Sequence, residues 1–171
     1  KTATITLISP EMGARFCQFL ALMEPEGMAG APLPGVERFV FVESGSLHVE
    51  TDGSYQLGAG GYLYLPPDSR HQLRAIEASR LILFERRYHS LPNHELPPII
   101  HGYEQDVVAY PFMGDEAAML KTLLPIDFAF DMAVNLFTFT PGAALPFVEV
   151  HVMEHGLSML QGGGIYRLDD C

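Results

Sequence analysis

With 171 residues, the chain has room for one ordinary domain or two small all-β modules, but not for a large α/β enzyme. Hydrophobic residues make up 48% of it and charged residues 18%, which is enough apolar material for a core and too little charge for a disordered chain. The formal net charge of −11 argues against a phosphate-neutralising surface for nucleic acid and against docking on an anionic membrane.

The N-terminal stretch from Lys1 to Leu7 lacks the apolar core and small-residue cleavage site of a signal peptide. No run approaches the roughly 18 apolar residues of a membrane span. Cys17 and Cys171 sit near opposite ends in no framework spacing, so a reduced, cytoplasmic setting is the simplest reading.

In chain order, short segments rich in Val, Ile, Phe, Tyr and Thr recur between Gly, Pro and Asp punctuation, the pattern of an all-β sandwich or barrel. Strands are predicted at Phe16–Met23, Arg38–Val42, Ser46–Thr51, Ser54–Leu57, Gly61–Leu65 and Arg80–Arg87. Asp52-Gly53 reads as a hairpin turn in which glycine supplies a positive φ. Residues 90–98, prolyl and polar, read as a linker between a first module over 1–89 and a second over 99–171. In the second, Asp115–Leu123 places Met119, Leu120 and Leu123 at helical spacing after a possible Asp cap and predicts one short helix. Further strands are predicted at Asp131–Thr140, Leu157–Gln161 and Ile165–Leu168. Val42–Val49 rhymes with Met159–Tyr166, each a strand, a glycine turn and a strand, which hints at an internal repeat.

The stretch from Gly142 to Gly162 carries the chemistry. On a strand Glu149 and His151 share a face, and His155 reaches the same point from beyond a turn. One carboxylate and two imidazoles suit a borderline divalent cation such as Mn²⁺, Fe²⁺, Ni²⁺ or Zn²⁺. Against this stands the bland reading, polar residues on a solvated face. The apolar neighbours Phe147, Val148, Val150, Val152, Leu157, Met159 and Leu160 lower its weight, because a charge in a segment that wants burial must be paired or metal-bound. Glu154 reads as a surface residue ahead of a hydrogen-bond acceptor for an imidazole N–H.

Gly142-x6-Glu149-x-His151-x3-His155-x6-Gly162 resembles the first motif of the cupin superfamily, with Glu and His exchanged at its first and last ligand positions. Gly61-x4-Pro66-x-Asp68-x2-His71 resembles the second motif, one residue short and with Asp68 where glycine is usual. Two motifs in different halves imply a bicupin, that is, two double-stranded β-helix barrels, the second incomplete in this chain. Gly60–Pro67, Phe84–Tyr88 and the string Glu149-Val150-His151-Val152-Met153-Glu154-His155-Gly156 are similar, more closely, to the (S)-ureidoglycine aminohydrolase family.

That resemblance implies a manganese-dependent enzyme of purine (allantoin) catabolism that releases ammonia from (S)-ureidoglycine to leave (S)-ureidoglycolate. Its metal ligands would be Glu149, His151 and His155, with a fourth, a Gln, beyond Cys171. Tyr166 matches a pocket-lining Tyr of the family, though a barrel-wall aromatic is an equal reading. Glu149 is also the candidate general base. Family members are longer at both ends, which suggests a trimmed chain. In the first module Arg38 takes the slot of a ligand, and a guanidinium cannot bind a cation. His71 is then left as a hydrogen-bonded structural residue in a metal-free scaffold module. The Arg86-Arg87 pair reads as a solvated strand end or an inter-subunit ion pair. Partners are a small-molecule substrate and further copies of the chain, with no nucleic acid and no membrane. Two rival readings remain: another metal-dependent cupin enzyme, a dioxygenase or isomerase, or a non-catalytic cupin that binds a small molecule.

Overall fold

The computed structural model describes residues 1–145 and 150–167. The first module contains β1 (Thr2–Ile8), β2 (Phe16–Met23), β3 (Met28–Gly30), β4 (Val36–Ser44), β5 (Ser46–Glu50), β6 (Ser54–Gly58), β7 (Gly61–Leu65), β8 (Gln72–Ala75) and β9 (Ser79–Arg87). After residues 90–98 the chain first adds β10 (Ile100–Tyr103) beside β7, then forms β11 (Tyr110–Phe112), β12 (Asp115–Thr122) and β13 (Asn135–Phe139). Among the described residues everything regular apart from two short 3-10 turns is strand, so the all-β class holds.

A six-stranded antiparallel sheet in the order β1-β2-β9-β4-β7-β10 faces a four-stranded sheet in the order β3-β8-β5-β6. Successive side chains of a strand point to opposite faces. Val40 and Val42 therefore point inward with Leu47, Val49, Leu57, Leu63, Leu65, Leu73, Leu81 and Leu83, which close the barrel core. The alternate residues Phe39, Phe41, Tyr62, Tyr64 and Ile82 point outward and are buried too, because Leu123, Leu124, Phe130, Met132, Val134 and Leu136 of the second module pack over them. A sheet covered on both faces explains why β4 and β7 read as continuous rather than alternating apolar runs.

Gly45 makes the corner between β4 and β5. Its φ is +84°, and a Cβ would collide with Ala78 O and the Ser79 side chain, so the corner closes only with glycine. The β5–β6 hairpin pairs Glu50 with Ser54 across Thr51-Asp52-Gly53, but Gly53 is not left-handed, so the turn does not use glycine's positive φ.

Several sequence expectations are corrected. Asp115–Leu123 is not helical: β12 pairs with β11 and β13, with Ala118 opposite Phe139 and Leu120 opposite Phe137. Ala118 and Leu120 are buried at the strand period of two, and tertiary pairing overrides the accidental helical spacing. The strand expected over Asp131–Thr140 runs only from Asn135 to Phe139, and Asp131, ahead of it, pairs with Arg86 instead. Residues 157–161 and 165–167 form no strand, and Leu168 lies outside the described residues. The rhyme of Val42–Val49 with Met159–Tyr166 is therefore not matched in structure. Among the described residues the second barrel is represented by the three-stranded sheet β11-β12-β13.

Candidate functional site

Two polar centres stand out, one inside the first barrel and one on the segment after residue 149. Inside the barrel, Arg38 is 6% exposed and surrounded by acceptors. Its Nε and Nη2 donate to Glu85 Oε1 at 2.8 and 2.5 Å, and its Nη1 donates to Gly30 O at 2.7 Å. The same Nη1 lies 2.9 Å from His71 Nε2, while His71 Nδ1 lies 2.9 Å from Ser69 O. Burial, then the Arg38 charge, lower the His71 pKa to about 4. The ring is neutral at pH 7, donates from Nδ1 to Ser69 O and accepts from Arg38 at Nε2. A guanidinium thus fills the space that the imidazole and the carboxylate face. Asp68, which replaces the usual glycine, holds φ +62° and accepts a hydrogen bond from Gly35 N at 2.8 Å. A short polar side chain tolerates this left-handed backbone and uses it to tie the turn.

Cys17, across the β2–β9 ladder from Glu85, has its thiol pKa pushed up by burial and by that carboxylate, the opposite of an activated nucleophile. Arg86 is partly buried and paired within the chain rather than standing at a solvated strand end. It donates to Asp131 O at 2.6 Å and pairs with the Asp131 carboxylate at 3.3 Å.

Glu37 was not anticipated. It points outward from β4, is fully buried, accepts from Tyr64 Oη at 2.6 Å on Oε2, and has no partner on Oε1 among the described residues. Burial raises its pKa to about 7, the Tyr64 hydrogen bond opposing and Asp131 adding to the rise. Its alternation with Phe39 and Phe41 on one strand face was the available sequence signal.

The second centre is the histidine segment. The rings of His151 and His155 lie side by side, centroids 4.6 Å apart and planes at 47°. His151 Nδ1 is 3.1 Å from Met153 O. The strand geometry expected at His151 is absent, and the neighbours expected to be buried are open: Val150 and Val152 are both 89% exposed. Glu154 is exposed, in line with the surface reading, and its carboxylate accepts from Arg15 N at 3.0 Å. Tyr166 is exposed on a segment without strand structure. Glu149 lies outside the described residues. Among the described residues no three potential metal ligands cluster. Two adjacent imidazoles are nonetheless a donor set that a borderline cation accepts, with metal–nitrogen bonds of about 2.0–2.1 Å.

The chain is 36% identical over 167 residues to (S)-ureidoglycine aminohydrolase of Arabidopsis thaliana, a match covering 96% of the chain and 55% of that relative. It is 34% identical over 173 residues to the protein of the same name from Escherichia coli, covering 98% and 66%. The chain belongs to the (S)-ureidoglycine aminohydrolase family. The probable aminohydrolase of rice is 38% identical over 168 residues, again with 96% of the chain covered. The chain spans about half to two-thirds of the length of these family members. No family model matches it. Among solved structures, protein Ylba of E. coli superposes with a TM-score of 0.77 at 29% identity, covering 88% of this chain and 61% of that one. The glyoxylate-induced protein of Pseudomonas aeruginosa superposes with a TM-score of 0.78 at 25% identity, covering 89% and 60%. Aminohydrolase family membership thus rests on similarity across both modules rather than on the histidine motif alone.

Proposed function

We propose that the protein carrying this chain hydrolyses (S)-ureidoglycine to (S)-ureidoglycolate and ammonia, in purine (allantoin) catabolism, as a manganese-dependent hydrolase of a C–N bond. The observation that carries the reading is identity of 34–38% to three aminohydrolases over 96% or more of the chain. The paired imidazoles of His151 and His155 support the metal part.

The reaction replaces an amine by water at a carbon that also bears a carboxylate and a ureido nitrogen. Glu149, His151 and His155 would hold the cation, which when bound supplies positive charge to anchor the substrate's carboxylate or amine. Glu149 takes a proton from the attacking water, the new C–O bond forms, and the C–N bond breaks to release ammonia after the nitrogen gains a proton. Tyr166 would line the substrate pocket. Multi-point attachment then selects one enantiomer. The proposal includes a cytoplasmic homo-oligomer.

The test is ammonia release from freshly prepared ureidoglycine by the full-length protein, after chelation and again after Mn²⁺ addition. Recovery with Mn²⁺, lost in His151→Ala, supports the reading. Stoichiometric Mn²⁺ without turnover would move the assignment to another cupin substrate, and tight ligand binding without metal or turnover to a non-catalytic cupin.

A further inference from the structure

The segment bearing His151 and His155 has no strand ladder of its own, yet it is tied to the first module on both sides of His155. On one side Arg15 donates from its main-chain N to Glu154 Oε2 at 3.0 Å and from Nη2 to Val152 O at 3.3 Å. On the other, Gln18 donates from Nε2 to Leu157 O at 3.1 Å and to Ser158 Oγ at 2.7 Å. Gln18 lies on the outer face of β2 and is 1% exposed. An amide N–H group buried this fully costs stability unless its hydrogen bonds are made, and Nε2 makes both of its bonds to the histidine segment, whereas Oε1 has no partner among the described residues.

Gly156 lies between these anchors and touches the sheet. A Cβ there would stand 2.6 Å from Gln18 Oε1, 2.9 Å from Phe16 Cε2 and 3.0 Å from Phe84 Cε1. All three neighbours are side-chain atoms against which the segment packs, so a larger residue forces them or the backbone to shift, and His155 is the preceding residue. A close approach of this kind accounts for the glycine that ends the Glu154-His155-Gly156 string.

We infer that Gln18 and Gly156 are positioning residues for the His151–His155 pair, the buried amide of the first module and the side-chain-free contact together setting where the two imidazoles stand. The consequence for Mn²⁺ rests on the metal reading proposed above. The first module then acts on the site mechanically: β2 supplies the surface against which the ligand segment is held. Small misplacement of a ligand set weakens binding more than loss of one exposed contact does.

Gln18→Leu keeps the volume and removes the donor, and Gly156→Ala adds the Cβ. Two measurements on the full-length protein decide the matter. The first is the rate at which a Glu-specific protease cuts the native, metal-free protein after Glu154. The second is Mn²⁺ affinity, read from the electron paramagnetic resonance signal of free aqueous Mn²⁺. Both variants are expected to be cut at least tenfold faster and to bind Mn²⁺ at least tenfold more weakly, with the thermal transition of the barrel retained. Unchanged cleavage in both variants overturns the anchoring. Faster cleavage with unchanged affinity overturns the link to the imidazole pair. A parent protein that takes up no Mn²⁺ overturns the metal reading and the affinity claim, while the cleavage rates still decide the anchoring. If Gln18→Leu does not fold, Gly156→Ala decides alone.

Discussion

Arg38 Nη1 stands 2.9 Å from the Nε2 of His71 inside the first barrel, a permanent cation donating to a neutral imidazole. The guanidinium is also held by Glu85 Oε1 and Gly30 O, so one side chain donates to three separate acceptors. The arrangement is stable only as a set. Arg38→Met is expected to cost about 3–5 kcal/mol, because it strands a nearly buried carboxylate. Arg38→Met combined with Glu85→Leu should cost clearly less than the sum of the two single changes. Chemical denaturation of the four proteins measures the coupling, and simple additivity would falsify the set.

Glu37 and His71 titrate against each other. Glu37 has a folded pKa raised to about 7 from 4.5, so its contribution to stability is fully present below about pH 4.5 and is lost as pH rises through 7. His71 has a folded pKa lowered to about 4 from 6.5, so its contribution is present above 6.5 and is lost as pH falls through 4. Between pH 4.5 and 6.5 the two slopes oppose. Glu37→Gln removes one of them. Relative to the parent, it should gain stability steadily as pH rises from 4.5 to 7, by up to about 3 kcal/mol at 1.36 kcal/mol per pKa step. Denaturation midpoints at half-unit pH intervals would show it, and a difference independent of pH would refute it.

Tyr64 is the single described hydrogen-bond partner of the Glu37 carboxyl. Tyr64→Phe leaves both carboxyl oxygens unpartnered and should destabilise by about 1–3 kcal/mol. The loss should be larger at pH 8 than at pH 5, since the hydrogen bond favours the ionised form. Equal losses at both pH values would contradict this assignment.

At Asp68 a left-handed backbone and a side-chain hydrogen bond to Gly35 N coincide. Asp68→Gly relieves the first and loses the second, so its effect should be small. Asp68→Ala loses the bond and keeps the strain, at a cost of about 1–3 kcal/mol. Thermal unfolding ranks the three proteins, and an alanine variant as stable as the glycine one would remove the argument.

For the proposed chemistry, Glu149→Gln should depress turnover by about 100-fold or more while Mn²⁺ is still taken up, the behaviour of a lost general base. Full activity in that variant would end the assignment. His155→Ala should instead lower Mn²⁺ uptake itself, which metal analysis after gel filtration measures directly.

The residue pattern alone determined the fold class and most of the first barrel. Phe16–Met23 and Gly61–Leu65 coincide with observed strands, because a β-rich run bounded by turn residues has few other ways to satisfy its backbone. It also marked His71 as a hydrogen-bonded residue and singled out His151 and His155, whose rings do meet. Period counting failed where partners decide. Asp115–Thr122 is a strand because β11 and β13 pair with it, and 157–161 is not one, although its pattern is as strand-like as that of β5. Only the tertiary structure placed Glu37 under Tyr64 and Gln18 against Ser158, since contacts between residues 27 and 140 positions apart leave no local trace. A strand's period says which residues share a face; what covers that face, and so which of its polar groups are desolvated, is settled by packing.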